Sequence, residues 1–137
     1  MNAKKSLVFV AAVLCLGVYG PAFSQSPQAP YVRLAELEID PAQLENFKSA
    51  VTEGIEAAVR LEPGVTALYA VYEKDHPASV RVFEVYTDEK AYQSHLETPH
   101  FKKFRATTDK MVTSRKLLNA VPIALRAKPA GAAAGSK

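Results

Sequence analysis

Leu61 to Phe104 reads LEPGVTALYAVYEKDHPASVRVFEVYTDEKAYQSHLETPHFKKF. Val65 to Glu73 and Ser79 to Tyr86 are rich in β-branched and aromatic residues, which favour strands. The segment between them, KDHPA, carries Asp and Pro in turn-favouring places, so the two runs predict an antiparallel hairpin. Thr87-Asp88-Glu89 then opens a helix to about Glu97. Thr98-Pro99 is a second cap-plus-proline signal, where the helix breaks before resuming through about Val112.

Working outward, Tyr31 to Ile39 reads as a first strand. Asp40 is a good N-cap and Pro41 suits a first helical position. Leu44, Phe47, Val51, Ile55 and Ala58 recur at helical spacing, which predicts a helix from about Pro41 to Leu61. Glu62-Pro63-Gly64 stops it. Leu117 to Leu125 reads as a fourth strand, with Pro122 implying an edge or a bulge. The order is β-α-β-β-α-β. The expected fold class is therefore α+β and ferredoxin-like, a four-stranded antiparallel sheet with its helices on one face.

Strand three has apolar residues at both parities. If Phe83 and Val85 face the helices, then Val80, Val82, Glu84 and Tyr86 face the other way. An exposed face this apolar calls for a cover, and a second copy of the chain is the natural one.

Glu-Pro-Gly before a strand, Phe-Glu-Val-Tyr in the next, and His-Leu-Glu-Thr-Pro-His-Phe in the helical part form an ordered series. Over roughly Tyr31 to Ile123 the chain resembles the antibiotic biosynthesis monooxygenase (ABM) domain family. That resemblance implies a homodimeric α+β barrel. It also implies oxygenation of an electron-rich aromatic, such as a quinol or a polyketide phenol, without metal or flavin. A haem-degrading branch of the family uses an asparagine in the first strand, a tryptophan after the third, and an axial histidine in the second helix. This chain has no tryptophan, its first strand has no asparagine, and the axial position falls near Arg105.

The residues offer several candidate groups. Glu84 lies among apolar neighbours, where a carboxylate needs a partner or a proton. It either aims into a pocket or serves a structural role, bonding a helix N-terminus or an arginine such as Arg33. His95, with Ala91 and Tyr92, can lie on the helix face that meets the sheet. It is either a general base or a hydrogen-bonded histidine at the domain edge. In the proteins this chain resembles, a histidine and a glutamate recur at these positions, so the candidate catalytic residues are His95 as base and Glu84 orienting it or the substrate. Tyr86 is the candidate donor to an oxyanion, and Tyr69, Phe101 and His100 are further candidate substrate contacts. His100 also reads as a cap-region residue, and His76 as an exposed turn residue. No metal site is expected. His95 and His100 are five apart, which separates them on a continuous helix. No zinc-protease, phosphate-loop, nucleophile-elbow or dinucleotide motif occurs.

The start of the chain, MNAKKSLVFVAAVLCLGVYGPAFSQS, has a basic Lys4-Lys5, an apolar run of about 13 residues and small residues at Ala22 and Ser24. This predicts a cleaved secretory signal over 1–24. The run is shorter than the roughly 20 residues a membrane span needs, so no stable membrane anchor is expected after cleavage. A linker over 25–30, the domain over 31–123 and a disordered Ala/Gly-rich tail over 124–137 follow. The expected location is periplasmic or secreted. Cys15 is the only cysteine, so the chain after residue 24 has no disulfide and no thiol nucleophile. The net charge of +3 includes Lys4 and Lys5, and no aromatic-interleaved basic stripe occurs, so nucleic acid is not an expected partner. Three readings follow: a cofactor-independent monooxygenase of a small aromatic, an isomerase of a small keto compound in the same fold, or a non-catalytic dimeric module that binds a small ligand or a partner.

Overall fold

The computed structural model describes residues 29–128. The expected signal segment, most of the linker and the end of the tail lie outside them. β1 (Tyr31–Ile39) leads through a short 3-10 turn (Pro41–Gln43) into α1 (Leu44–Leu61). β2 (Val65–Glu73) and β3 (His76–Tyr86) follow, then α2 (Glu89–Glu97), α3 (Pro99–Thr108) and β4 (Val112–Ala120). The sheet order is β2-β3-β1-β4 and every pair is antiparallel. This is the ferredoxin-like arrangement, with helix two divided.

The caps act where the sequence places them. Asp40 accepts from the Ala42 amide at 2.9 Å, and Asp88 from the Ala91 amide at 2.8 Å. Thr98 accepts from the Phe101 amide and donates to the carbonyl of His95, which fixes the break between α2 and α3. No helix among the described residues is long and apolar enough to cross a membrane.

Four boundaries differ from expectation, at the start of β3, the end of α3 and both ends of β4. β3 begins at His76, because the hairpin turns over Lys74-Asp75 alone. Pro77 is tolerated there: β1 pairs only from Ser79 onward, and the β2–β3 register shifts beside Glu73. α3 ends at Thr108, whose hydroxyl bonds back to the Phe104 carbonyl. β4 therefore starts at Val112 rather than Leu117, and Pro122 falls beyond the strand instead of inside it. Strand four does carry a bulge, but near its start: Ser114 and Val112 pair with the consecutive Glu38 and Ile39 of β1, which leaves Thr113 as the extra residue.

The facing of strand three is reversed from expectation. Val80 belongs to the buried cluster of Ala35, Leu37, Ile39 and Phe47, with Val82 and Phe104 packed on it. Tyr86 is fully buried against Ala58 and Val65. Val80, Val82, Glu84 and Tyr86 thus face the helices. The opposite face carries cross-strand rows read directly from the register. One is Ala67, Val85, Val32 and Ala120; the next is Tyr69, Phe83, Leu34 and Leu118; a charged row, Val71, Arg81, Glu36 and Lys116, follows. Both parities of β3 are apolar, so the strand alone does not tell its faces apart. The helix-free face is still apolar, and it is built from Phe83 and its row rather than from Val80, Val82 and Tyr86.

Gly64 is needed for a close approach. A Cβ there would lie 2.5 Å from the Cβ of Ala91 in α2. Gly64→Ala should force α2 off the sheet and cost about 1–3 kcal/mol, as overpacking does. Denaturant melts with unchanged slope and a lowered midpoint would show it.

Candidate active site

Between the helices and the sheet lies a cavity of about 120 Å³. Its floor is the helix-facing side of the sheet: Glu84 and Arg33 in one row, Val82, Ala35 and Leu117 in the next, then Leu37 and Arg115. Phe47, Val51 and Ile55 of α1 wall one side. His95, His100, Phe101 and Phe104 of α2 and α3 wall the other.

Local sequence explains how one carboxylate reaches both histidines. Glu62 precedes Pro63, which bars it from the helical region. It takes an extended backbone, φ −109° and ψ 108°, as α1 ends. Glu62 Oε1 lies 2.8 Å from His95 Nδ1 and 2.5 Å from His100 Nε2. All three side chains are largely buried, with His95 and Glu62 at 9% and 11% exposure. A carboxylate only accepts, so both facing ring nitrogens carry protons. His95 is then left with Nε2 as its basic nitrogen. That atom has no protein partner among the described residues, and no fully buried side-chain polar atom there lacks one. Nε2 is therefore not sealed from solvent, and His95 is one of the residues that line the cavity. The break at Thr98-Pro99 is what allows this. A continuous helix would separate the two histidines, as the spacing suggested; the new axis of α3 returns His100 to Glu62.

A hydrogen-bonded pair lies beside this cluster. The Tyr86 hydroxyl donates to Glu84 Oε2 at 2.9 Å, and its ring sits 5.5 Å from that of His95. Burial pushes the Tyr86 hydroxyl far above the ordinary tyrosine value, and the nearby Glu84 and Glu62 charges add to this. It stays protonated at any working pH. The unfolded chain ionises this group near pH 10, whereas the fold holds it neutral, so its contribution to stability is complete below about pH 10 and shrinks as pH rises above it. Wild type should lose stability to alkali faster than Tyr86→Phe, by up to about 1.4 kcal/mol per pH unit. Denaturant melts of both proteins from neutral to alkaline pH would measure it.

Of the candidate residues, His95, Glu84, Tyr86, His100 and Phe101 line this one cavity. Tyr69 does not: it is 58% exposed on the helix-free face. Glu84 does not pair with Arg33, although their Cα atoms are partners. It is occupied by Tyr86, while Arg33 donates to the Tyr92 hydroxyl. His76 is exposed, at the first position of β3 rather than in the turn. The sequence gives no sign of Glu62 as a site residue beyond its place in Glu62-Pro63-Gly64, read there as a helix stop.

Glu62, His95 and His100 also form a possible metal-ligand set, where none was expected. Their three ligand atoms lie within 4.8 Å of one another. Two imidazoles and a carboxylate suit a divalent transition metal.

The sequence profile of a family described as antibiotic biosynthesis monooxygenase matches residues 30–107, more than half of the chain. The chain belongs to the antibiotic biosynthesis monooxygenase family. Among solved structures, it is 46% identical to a candidate ABM protein from Bacteroides thetaiotaomicron, with a TM-score of 0.71 and coverage of 73% of this chain and 97% of that one. It is 31% identical to a candidate monooxygenase from Lactobacillus acidophilus, with a TM-score of 0.65, covering 68% of this chain but only 46% of that longer one. A candidate ABM protein from Nitrosomonas europaea, 24% identical over 72% of this chain and 95% of its own, shares the fold with a TM-score of 0.66. No curated protein matches the chain.

Proposed function

We propose that this ABM protein is a monooxygenase of an electron-rich phenol or quinol, with His95 as its general base. The observation that carries this reading is the buried Glu62–His95 contact at the cavity wall, which leaves the other His95 nitrogen without a protein partner among the described residues. Nε2 takes the phenolic proton, and the Glu62 carboxylate stabilises the imidazolium that results. The anion left in the cavity is a stronger reductant than the phenol and transfers electrons to dioxygen. One oxygen atom enters the ring and the other leaves as water, so a quinol becomes a hydroxyquinone with no external reductant. His100 holds Glu62 in place. Tyr86, kept neutral, fixes Glu84 at the floor. Oxygen uptake with a panel of hydroquinones tests the reading; saturable binding without uptake would favour a non-catalytic module.

A second reading rests on the ligand set itself. Glu62, His95 and His100 can hold a divalent metal, which would supply Lewis-acid or redox chemistry beside the cavity. A chelator separates the two: uptake that survives chelation belongs to the base, and uptake that chelation removes belongs to the metal.

The reading includes export. Lys4-Lys5, the short apolar run and Ala22-x-Ser24 support a signal cleaved near Ser24. N-terminal sequencing of exported protein should begin at or near Gln25. An intact Met1 form in the membrane fraction would show an anchor instead.

A further inference from the structure

Among the described residues, Arg33 is the one basic side chain of the cavity without a counter-ion. Three arginines line the cavity: Arg33, Arg105 and Arg115. Arg105 and Arg115 share the carboxylate of Asp109, at 3.1 and 3.6 Å. Arg33 forms no ion pair within 4.0 Å among the described residues. Its Nη1 donates to the Tyr92 hydroxyl at 2.5 Å, and its guanidinium carbon lies 4.5 Å from the centre of the Tyr92 ring. The carboxylate opposite, Glu84, is engaged by Tyr86. A half-buried cation with only a neutral hydroxyl and an aromatic face as partners has bonding capacity to spare. A guanidinium presents five donors in a planar fork, and a carboxylate fills that fork with paired bonds.

The position relative to the base gives this charge a use. Aromatic rings run in series between Arg33 and His95, two residues that line the cavity. Arg33 sits on Tyr92, the Tyr92 ring is 5.4 Å from that of Tyr86, and the Tyr86 ring is 5.5 Å from that of His95. A base at one end of this series, a cation at the other and aromatic rings between suit a flat molecule with a hydroxyl at one end and an anion at the other.

We propose that the substrate of this cavity is an aromatic hydroxy acid, whose carboxylate binds Arg33 while its phenol meets His95. The inference rests on the phenol-oxygenase reading of the same site and specifies its substrate class. Neutral quinols should bind through the apolar wall alone, and more weakly.

Calorimetry under argon, which stops turnover, measures the anionic subsite with three ligands of one ring type: gentisate, its uncharged amide gentisamide, and hydroquinone. Full-length protein should bind gentisate about tenfold or more tighter than either neutral ligand, the scale of one charge-assisted contact. Arg33→Gln should remove that advantage and leave hydroquinone affinity in place. The acid–amide comparison needs no variant, so it decides even if Arg33→Gln fails to fold. Equal affinity for acid and amide overturns the proposal. So does an advantage that survives Arg33→Gln, or no binding of gentisate at millimolar concentration. The outcomes separate from those of the oxygenase reading. Hydroquinone turnover without an acid preference removes only the subsite; tight gentisate binding by a protein that oxygenates neither ligand removes only the oxygenase.

Discussion

His95→Ala should lower the rate of quinol oxygenation by about a hundredfold or more, the scale on which a positioned general base contributes. The fold should survive. His95 is buried on the sheet-facing side of α2, but the backbone contacts that define that helix, from Asp88 to Thr98, do not use its ring. Glu62→Gln should cost less than His95→Ala. The amide keeps the shape of the site and can still accept from Nδ1, but it cannot stabilise the imidazolium by charge. His76→Ala is the matched control, since that ring is exposed at the hairpin end. Rates of oxygen consumption with circular dichroism on each variant would measure the series. Near-wild-type turnover in His95→Ala, or equal losses in His95→Ala and His76→Ala, would make His95 structural and point to Glu84 as the base.

Phe83→Asp should convert the protein from dimer to monomer or to insoluble material. The row Tyr69, Phe83, Leu34 and Leu118 crosses all four strands on the helix-free face. Tyr69 and Val71 on that face are 58% and 62% exposed in the single chain. We propose that a second copy covers this face, as in a two-sheet barrel. A charge placed there and buried without a partner costs several kcal/mol, about 3 or more. Val82→Asp distinguishes the two faces: Val82 packs on the core cluster around Phe47, so that variant should unfold the subunit itself. Light scattering at micromolar concentration reads the mass of each. A wild-type monomer that exposes no apolar surface to a dye would refute the dimer, and a dimeric Phe83→Asp would place its interface elsewhere.

Much of the fold is legible in the sequence because the signals are local. Asp40-Pro41, Asp88 and Thr98-Pro99 cap helices within a few residues of themselves, and the apolar period of α1 needs no partner to be seen. β4 escapes because its first half, Thr113 to Lys116, is polar and carries no apolar alternation. It is a strand only because β1 lies beside it. The faces of β3 escape for the opposite reason: Val80, Val82, Phe83 and Val85 are all apolar, and only the position of Phe47 and Phe104 decides between them. The site divides in the same way. His95 and Tyr86 can be singled out from type and place. Glu62 cannot, because its role depends on a proline that turns it out of α1 and on a helix break far along the chain that returns His100 to it.

The most direct measurement is oxygen consumption by chelator-treated protein supplied with a reduced quinol. The base-driven account predicts steady uptake with hydroxyquinone formed in equal amount to the oxygen consumed, and loss of that uptake in His95→Ala. No uptake across the hydroquinone panel, or uptake that the chelator abolishes and added metal restores, would contradict it.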